Sequence, residues 1–298
     1  MTSKKRFFSR HAYAAIFTLV LALLTGFVLL DTFVLPHAVQ SVVVVSADSS
    51  AETADAQVES GAASSESTAA AASTATTVST LSAATVTEAS SEPVVTSSSY
   101  SGNGVSIVIS TVRVSDSTVY VADVQLSSAS SLETALAQDT FGSNITETTS
   151  AMAAENDAIL AINGDYYGAN KSGYVIKNGV LYRDTIRQGD DTEDLVIYAD
   201  GSFAIIDETE VSAQELIDSG VVQLFAFGPA LIENGEIQVS SSDEVSRAKS
   251  SNPRTAIGIL DDLHYIIVVA DGRTSESAGL SLLELAQLME SYGCEIAY

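Results

Sequence analysis

The sequence predicts an α+β domain with a largely antiparallel sheet and a few packed helices, preceded by a single transmembrane helix and a disordered stalk. Three observations carry this. The dipeptides Asn178-Gly179, Asp200-Gly201 and Asn234-Gly235 each separate two short apolar runs, the strongest hairpin signal a sequence offers. Stretches of helical period are scattered among these hairpins, as in an α+β fold. Ahead of Tyr100 the composition changes: one apolar run is followed by a long tract of Ser, Ala and Thr.

Taken in order, residues 1–11 form a basic segment with Lys4, Lys5, Arg6 and Arg10. Residues 12–35 read as an anchor. Ala12 to Leu30 carries no charge, and that length suits a bilayer span. Basic residues before it and acidic ones after it predict the N-terminus inside and the rest of the chain outside the cell membrane. A cleaved signal peptide is the alternative. The long apolar run, and the distance to the nearest small-residue site at Val45-Ser-Ala47, favour an uncleaved anchor. Residues 36–99 hold no aromatic residue, and no Lys or Arg lies between Arg10 and Arg113. Such a stretch has too little to bury and reads as a disordered stalk that carries a domain away from the membrane.

The folded domain is read as residues 100–298. Val105–Ser110 and Thr118–Leu126 have strand patterns, Ser131–Gln138 and Ile145–Asn156 helical ones, and Ala158–Asn163 that of a short buried strand. Tyr174–Lys177 pairs with Val180–Arg183, Leu195–Tyr198 with Ser202–Ile206, and Ala230–Glu233 with Glu236–Val239, across the three Gly turns. Ser212–Ser219 is a short helix stopped by Gly220. Thr255–Leu260 and His264–Ala270 make a hairpin across Asp261-Asp262. Ser281–Tyr292 is an amphipathic helix with Ser281 and Glu284 placed as a capping box; Gly293 ends it, and Glu295–Tyr298 opens a further strand. About 200 residues suffice for one sizeable core.

The chain carries 13 basic and 38 acidic residues, a net charge of −25. Four of the basic residues fall in the first ten positions, so the remainder is more acidic still. That surface repels nucleic acid and anionic headgroups, and DNA or RNA binding is discarded. Its plain reading is solubility. Cys294 is the single cysteine, which rules out an intrachain disulfide and a Cys-based zinc site; its apolar flanks suggest a small core residue. His264 alone of the three histidines lies in the domain, with no nucleophile elbow beside it, so catalysis must rest on carboxylates and arginines.

Four blocks concentrate polar groups at the ends of apolar runs: Ala161-Ile-Asn-Gly-Asp-Tyr-Tyr-Gly168, Phe227-Gly-Pro-Ala-Leu-Ile-Glu-Asn-Gly235, Asn252-Pro-Arg-Thr-Ala-Ile-Gly258 and Val269-Ala-Asp-Gly-Arg273. Strands deliver chemistry to loops in this way. Tyr166 and Tyr167 offer a platform for a sugar ring; the competing reading is an ordinary Asn-Gly turn over a packed aromatic. Arg254 and Arg273 present forks that match phosphate or carboxylate oxygens; the competing reading is a surface pair of Arg273 with Asp271 or Glu276. Asp165 and Asp271 are the carboxylates best placed for acid/base work. When the leaving group is a phosphate, charge neutralisation by arginine matters more than its protonation. No cofactor is called for. A divalent metal held by Asp and Asn oxygens stays open, although no loop has calcium-ligand spacing.

In succession these blocks, followed by Ser-Ala-Gly-Leu-Ser-Leu-Leu-Glu-Leu-Ala, resemble the phosphodiester glycosidase family over about residues 100–298. The resemblance implies hydrolysis of the bond between a sugar's anomeric carbon and a phosphodiester, with a glycan or sugar phosphate as partner. It implies Asp165 and Asp271 as catalytic residues, and Asn163, Tyr166, Arg254, Thr255 and Arg273 as substrate contacts. The family pattern continues past the segment matching Gly293–Tyr298 into Asn-Leu-Asp-Gly-Gly-Gly-Ser-Ser, and this sequence stops at Tyr298. The expectation is a C-terminally incomplete domain, marginally stable and with little turnover. A non-catalytic glycan-binding or polysaccharide-assembly protein on the same fold, and an inactive fragment of the enzyme, are the rival readings.

Overall fold

A computed structural model describes residues 3–38, 92–189, 192–243 and 251–298. Helix α1 (Ser3–Phe33) is followed by the two-residue strand β1 (His37–Ala38). Among the described residues no helix is long and apolar enough to cross a membrane. Side chains of α1 are described only over 15–31, so the anchor read at 12–35 extends beyond them at both ends. Most of the stalk read at 36–99 lies outside the described residues, at 39–91.

The domain begins with an antiparallel meander, β2 (Val94–Val95), β3 (Ser99–Gly102), β4 (Val105–Val114) and β5 (Ser117–Leu126). A short strand β6 (Gly142–Ser143), which pairs with β1, and helix α2 (Thr149–Glu155) follow. The hairpin β7 (Val175–Lys177) and β8 (Val180–Arg183) turns through Asn178 and Gly179, at φ of 51° and 75°. Both lie in the left-handed region that this turn requires. Strands β9 (Glu193–Tyr198), β10 (Phe203–Asp207) and β11 (Val221–Phe225) form a separate sheet in the order β10-β9-β11, with α3 (Ala213–Asp218) between the last two in sequence. Then come β12 (Ile232–Glu233), β13 (Glu236–Ile237), β14 (Arg254–Asp261), β15 (His264–Ala270), α4 (Leu282–Ser291) and β16 (Ile296–Ala297). The large sheet has the order β13-β12-β16-β14-β15-β5-β4-β3-β2, and every pairing described is antiparallel.

Period-two alternation gives the large sheet two buried faces. Val119 and Val121 of β5, Ile266 and Val268 of β15 and Ala256 of β14 meet α4 through Leu282, Leu285, Ala286 and Met289. Ala122, Val124, Tyr265 and Ile267 point the other way, onto Leu195, Ile197 and Phe203 of the small sheet. The far side of the small sheet packs Val196, Val221 and Leu224 against Ala213 and Leu216 of α3 and against Tyr174, Ile176 and Leu181 of the β7–β8 region. Both α3 and α4 start at full capping boxes, Ser212 with Glu215 and Ser281 with Glu284. Cys294 is buried against α4, and burial pushes its thiol up to about 12.

Three elements differ from the sequence reading. Ser131–Gln138 is not an α-helix: only the 3-10 turns Ala129–Ser131 and Ala137–Asp139 form. The Asn178 side-chain amide takes the backbone N–H of Thr134 (3.0 Å) and donates to its C=O (2.7 Å). These are the groups an intrahelical ladder would need, so a tertiary contact overrides local propensity. The helix expected from Ile145 starts four residues later, at Thr149, because Thr148 caps it by accepting from Ala151 N at 3.2 Å. Residues 158–163 form no strand and bend at 159–160, with Leu160 and Ile162 packed inward and Ile159 about half exposed.

A buried charge cluster lies where β9 and β10 face the loop after β8. The Arg187 guanidinium contacts Asp194 and lies 3.1 Å from Glu208, and both carboxylates are fully buried. Glu208 also accepts from Tyr174 N at 2.9 Å. Burial and hydrogen bonding to Glu208 push Asp194 up to about 9, against the pull of Arg187. An unfolded Asp titrates near 4. The folded state therefore keeps a proton that the unfolded state releases. This group's contribution to stability is fully present below about pH 4 and is lost as pH rises towards about 9, by at most about 1.4 kcal/mol per unit. Asp194→Asn, which mimics the protonated acid, is expected to flatten that slope. Denaturant unfolding at pH 5 and pH 8 should show a smaller drop in the variant than in the wild type; equal drops would place the proton elsewhere.

Candidate functional site

The segment 158–163, which packs Leu160 and Ile162 against the core, ends at Asn163, whose Oδ1 accepts from Thr255 Oγ1 at 2.7 Å. Thr255 stands at the start of β14, opposite Val269 of β15. Asp271 follows two residues beyond Val269, so it lies at the same end of the sheet. Its backbone N–H is fixed to Thr118 O at 2.9 Å, and its side chain is exposed. Among the described residues the Asp271 carboxylate has no hydrogen-bond or ion-pair partner. Asn163, Thr255 and Asp271 thus share one sheet end.

Asp165 points elsewhere. Its Oδ2 lies 3.1 Å from Lys177 Nζ, with side-chain exposures of 3% and 5%, and also accepts from Ala226 N at 3.3 Å. Lys177 donates to Leu224 O at 2.7 Å and sits 4.1 Å from the centre of the Phe225 ring. Burial lowers the Lys177 ammonium pKa, and Asp165 opposes that shift. No described contact joins Asp165 to Asp271. The two carboxylates proposed as an acid/base pair therefore occupy different environments: one is sealed in an ion pair and the other is open to solvent.

The two tyrosines also separate. Tyr167 turns inward and stacks on Phe141, ring centres 5.4 Å apart. Tyr166 turns outward, 65% exposed, and meets Phe227 edge-on at 6.3 Å; Phe227 is 66% exposed. Arg183 fixes the loop beneath Tyr166 by donating to Tyr167 O (3.2 Å), Asn170 O (2.7 Å) and Gly173 O (2.6 Å). The next residue after Phe227, Gly228, begins a cis peptide to Pro229 and packs against the Tyr298 ring. A Cβ at Gly228 would come within 2.6 Å of that ring.

The arginines are tied into the backbone of the 252–280 region. Arg254 Nε donates to Leu280 O at 3.1 Å. Arg273, at φ 61°, gives Nε and Nη2 to Asn252 Oδ1 at 3.1 and 2.8 Å. Among the described residues its Nη1 makes no hydrogen bond. The competing surface pair of Arg273 with Asp271 or Glu276 does not form. His264 is engaged on the surface, 3.0 Å from Asp123. Among the described residues no group of three or more His, Cys, Asp or Glu is arranged to hold a metal ion.

Residues 156–298 match the family model for phosphodiester glycosidases. That match takes in just under half of the chain. It contains all four blocks, and so every one of the seven candidate residues. The SPbeta prophage-derived uncharacterized protein YomE of Bacillus subtilis (strain 168) is 32% identical over 161 residues, which are 53% of this chain and 25% of that protein. The chain thus spans about a quarter of this relative's length. Among solved structures, the zebrafish N-acetylglucosamine-1-phosphodiester alpha-N-acetylglucosaminidase catalytic domain, auto-inhibited by its pro-peptide, is 20% identical with a TM-score of 0.44. It covers 65% of this chain and 69% of its own. A hypothetical protein from Synechocystis is 15% identical with a TM-score of 0.47, covering 66% of this chain and 56% of its own.

Two residues of the matched segment escaped the sequence reading. Lys177 passed as a strand residue. The signal was available: it is the only charged residue in the apolar run Tyr174–Lys177, in a domain poor in cations. Phe227 stood at the head of a quoted block, but nothing in the sequence marks an aromatic before Gly-Pro as solvent-facing.

Proposed function

We propose that this chain hydrolyses sugar 1-phosphodiesters in cell-surface or exopolysaccharide glycans, held at the outer side of the cell membrane by its N-terminal apolar helix. The observation that carries the reading is the sheet end where Asn163 and Thr255 are hydrogen-bonded beside the open carboxylate of Asp271, inside the family-matched segment. In this reading Asp271 takes a proton from water as the water attacks the anomeric carbon. The bond from that carbon to the phosphate oxygen breaks, and a phosphomonoester leaves with the bonding pair. Arginine meets the departing charge, which spares the need for a strong acid. Arg273 offers its Nη1 for this, while Nε and Nη2 hold Asn252. Asn163 and Thr255 are the sugar-side polar contacts. Asp165, sealed against Lys177, positions the loop.

Turnover in heavy-oxygen water tests the bond that breaks. The label is expected in the released reducing sugar. Label in the phosphate, or no release from any sugar 1-phosphodiester tried, overturns the proposal. Arg273→Lys is expected to lower kcat/KM by roughly 10- to 150-fold, since a point charge replaces a fork that serves two partners; near wild-type kinetics would remove Arg273 from the phosphate. The anchor is tested separately: protease added to intact cells should release the domain, and protection until lysis would reverse the orientation.

One observation favours the rival reading of a glycan-binding surface protein. Of the two expected catalytic carboxylates, only Asp271 is open, and the exposed aromatics beside the site suit binding without chemistry. Saturable glycan binding with no sugar release would establish that reading.

A further inference from the structure

We infer that Tyr166 and Phe227 together form an aromatic subsite for the apolar face of a pyranose ring. This deepens the reading above and rests on it for the sugar. The two rings come from different loops, and both are about two-thirds exposed, which is unusual for large apolar side chains. Their edge-to-face geometry at 6.3 Å and 67° leaves an open angle, not a closed stack. Sugars expose C–H-rich faces that such rings cover, and the tyrosine adds a hydroxyl.

The loops are braced as a binding site requires. Asp165 Oδ2 links the first loop to the second, since it accepts from Lys177 Nζ and from Ala226 N, one residue before Phe227. Gly164 lies over Phe225, where a Cβ would stand 3.4 Å from the ring. Gly228 is pressed on Tyr298 directly after Phe227. On the other side of Tyr166 the same loop carries Asn163, held to Thr255.

The test is saturation-transfer NMR on the full chain in a non-glycosidic detergent. The probes are the methyl α-pyranosides of glucose, galactose and N-acetylglucosamine at millimolar concentration. At least one is expected to receive saturation at its ring C–H protons. Phe227→Ala should weaken that binding about tenfold, equivalent to the loss of one stacking face, and Phe227→Trp should restore it. Phe227 is about two-thirds exposed, so thermal unfolding should be unchanged in the variants. No binding of any probe, or equal binding by Phe227→Ala, overturns the inference. So does a dimer that Phe227→Ala dissolves, which would make the patch a self-association surface. Turnover of a sugar 1-phosphodiester with a KM indifferent to Phe227→Ala sinks the subsite and leaves the enzymatic reading standing. Pyranoside binding without turnover does the reverse.

Discussion

Gly279→Ala is expected to destabilise the domain by about 2–4 kcal/mol. Gly279 sits at φ +105°, where an L-residue is strained whatever the space around it. A Cβ there would also stand 2.3 Å from the backbone C and O of Asn252. That backbone cannot yield cheaply. Asn252 exchanges two hydrogen bonds with Leu280, at 3.1 and 2.9 Å, and Gly279 itself donates to Ser117 Oγ at 2.7 Å. Conformational strain and overpacking therefore add. Denaturant unfolding supplies the measurement, with Gly293→Ala as the control. Gly293 has φ +84° and nothing within 4 Å of its absent Cβ, so it carries the strain alone, about 1–2 kcal/mol. If the two variants lose the same stability, the close packing of Gly279 on Asn252 is not what holds this corner. Because Asn252 also holds Arg273, Gly279→Ala should depress turnover more than its stability loss explains.

Lys177→Met should cost about 3–5 kcal/mol. Removing one partner of a buried pair leaves the other charge uncompensated in a poor solvent. Here Asp165, 3% exposed, would keep only the 3.3 Å bond from Ala226 N, and Leu224 O would lose its donor. Adding Asp165→Asn to Lys177→Met removes the stranded charge and should recover much of the loss. A double-mutant cycle then reports the coupling. Additive losses, with coupling under about 0.5 kcal/mol, would mean the pair contributes little and that the loop of Tyr166 is held by Arg183 instead.

How much of this was legible in the sequence depends on how locally each feature is determined. The hairpin at Asn178-Gly179 is fixed by two residues that tolerate positive φ, and it forms where the sequence places it. The capping boxes at Ser212 and Ser281 are equally local and equally visible. Ser131–Gln138 misled because its backbone is held by Asn178, 44 residues further on, and no window of helical period registers such a partner. The same distinction runs through the site. Asn163 and Thr255, named from separate blocks, are brought within a hydrogen bond. The state of Asp165 depended on Lys177, which a motif reading had no reason to pair with it.

The stretch that defines the family and the stretch that can fold are different lengths of chain. The family match begins at residue 156. Yet β15, at the centre of the large sheet, pairs along its whole length with β5, from His264↔Gln125 to Ala270↔Val119. Val119 and Val121 complete the core under α4, and Ala122 and Val124 complete the core above the small sheet. A piece cut at residue 156 would keep every candidate residue and lose this partner. It would present a long, apolar, unpaired edge, the template on which strands of other molecules add. The family match thus marks out one stretch of chain, while the smallest autonomous unit must reach back to include the β4–β5 ribbon.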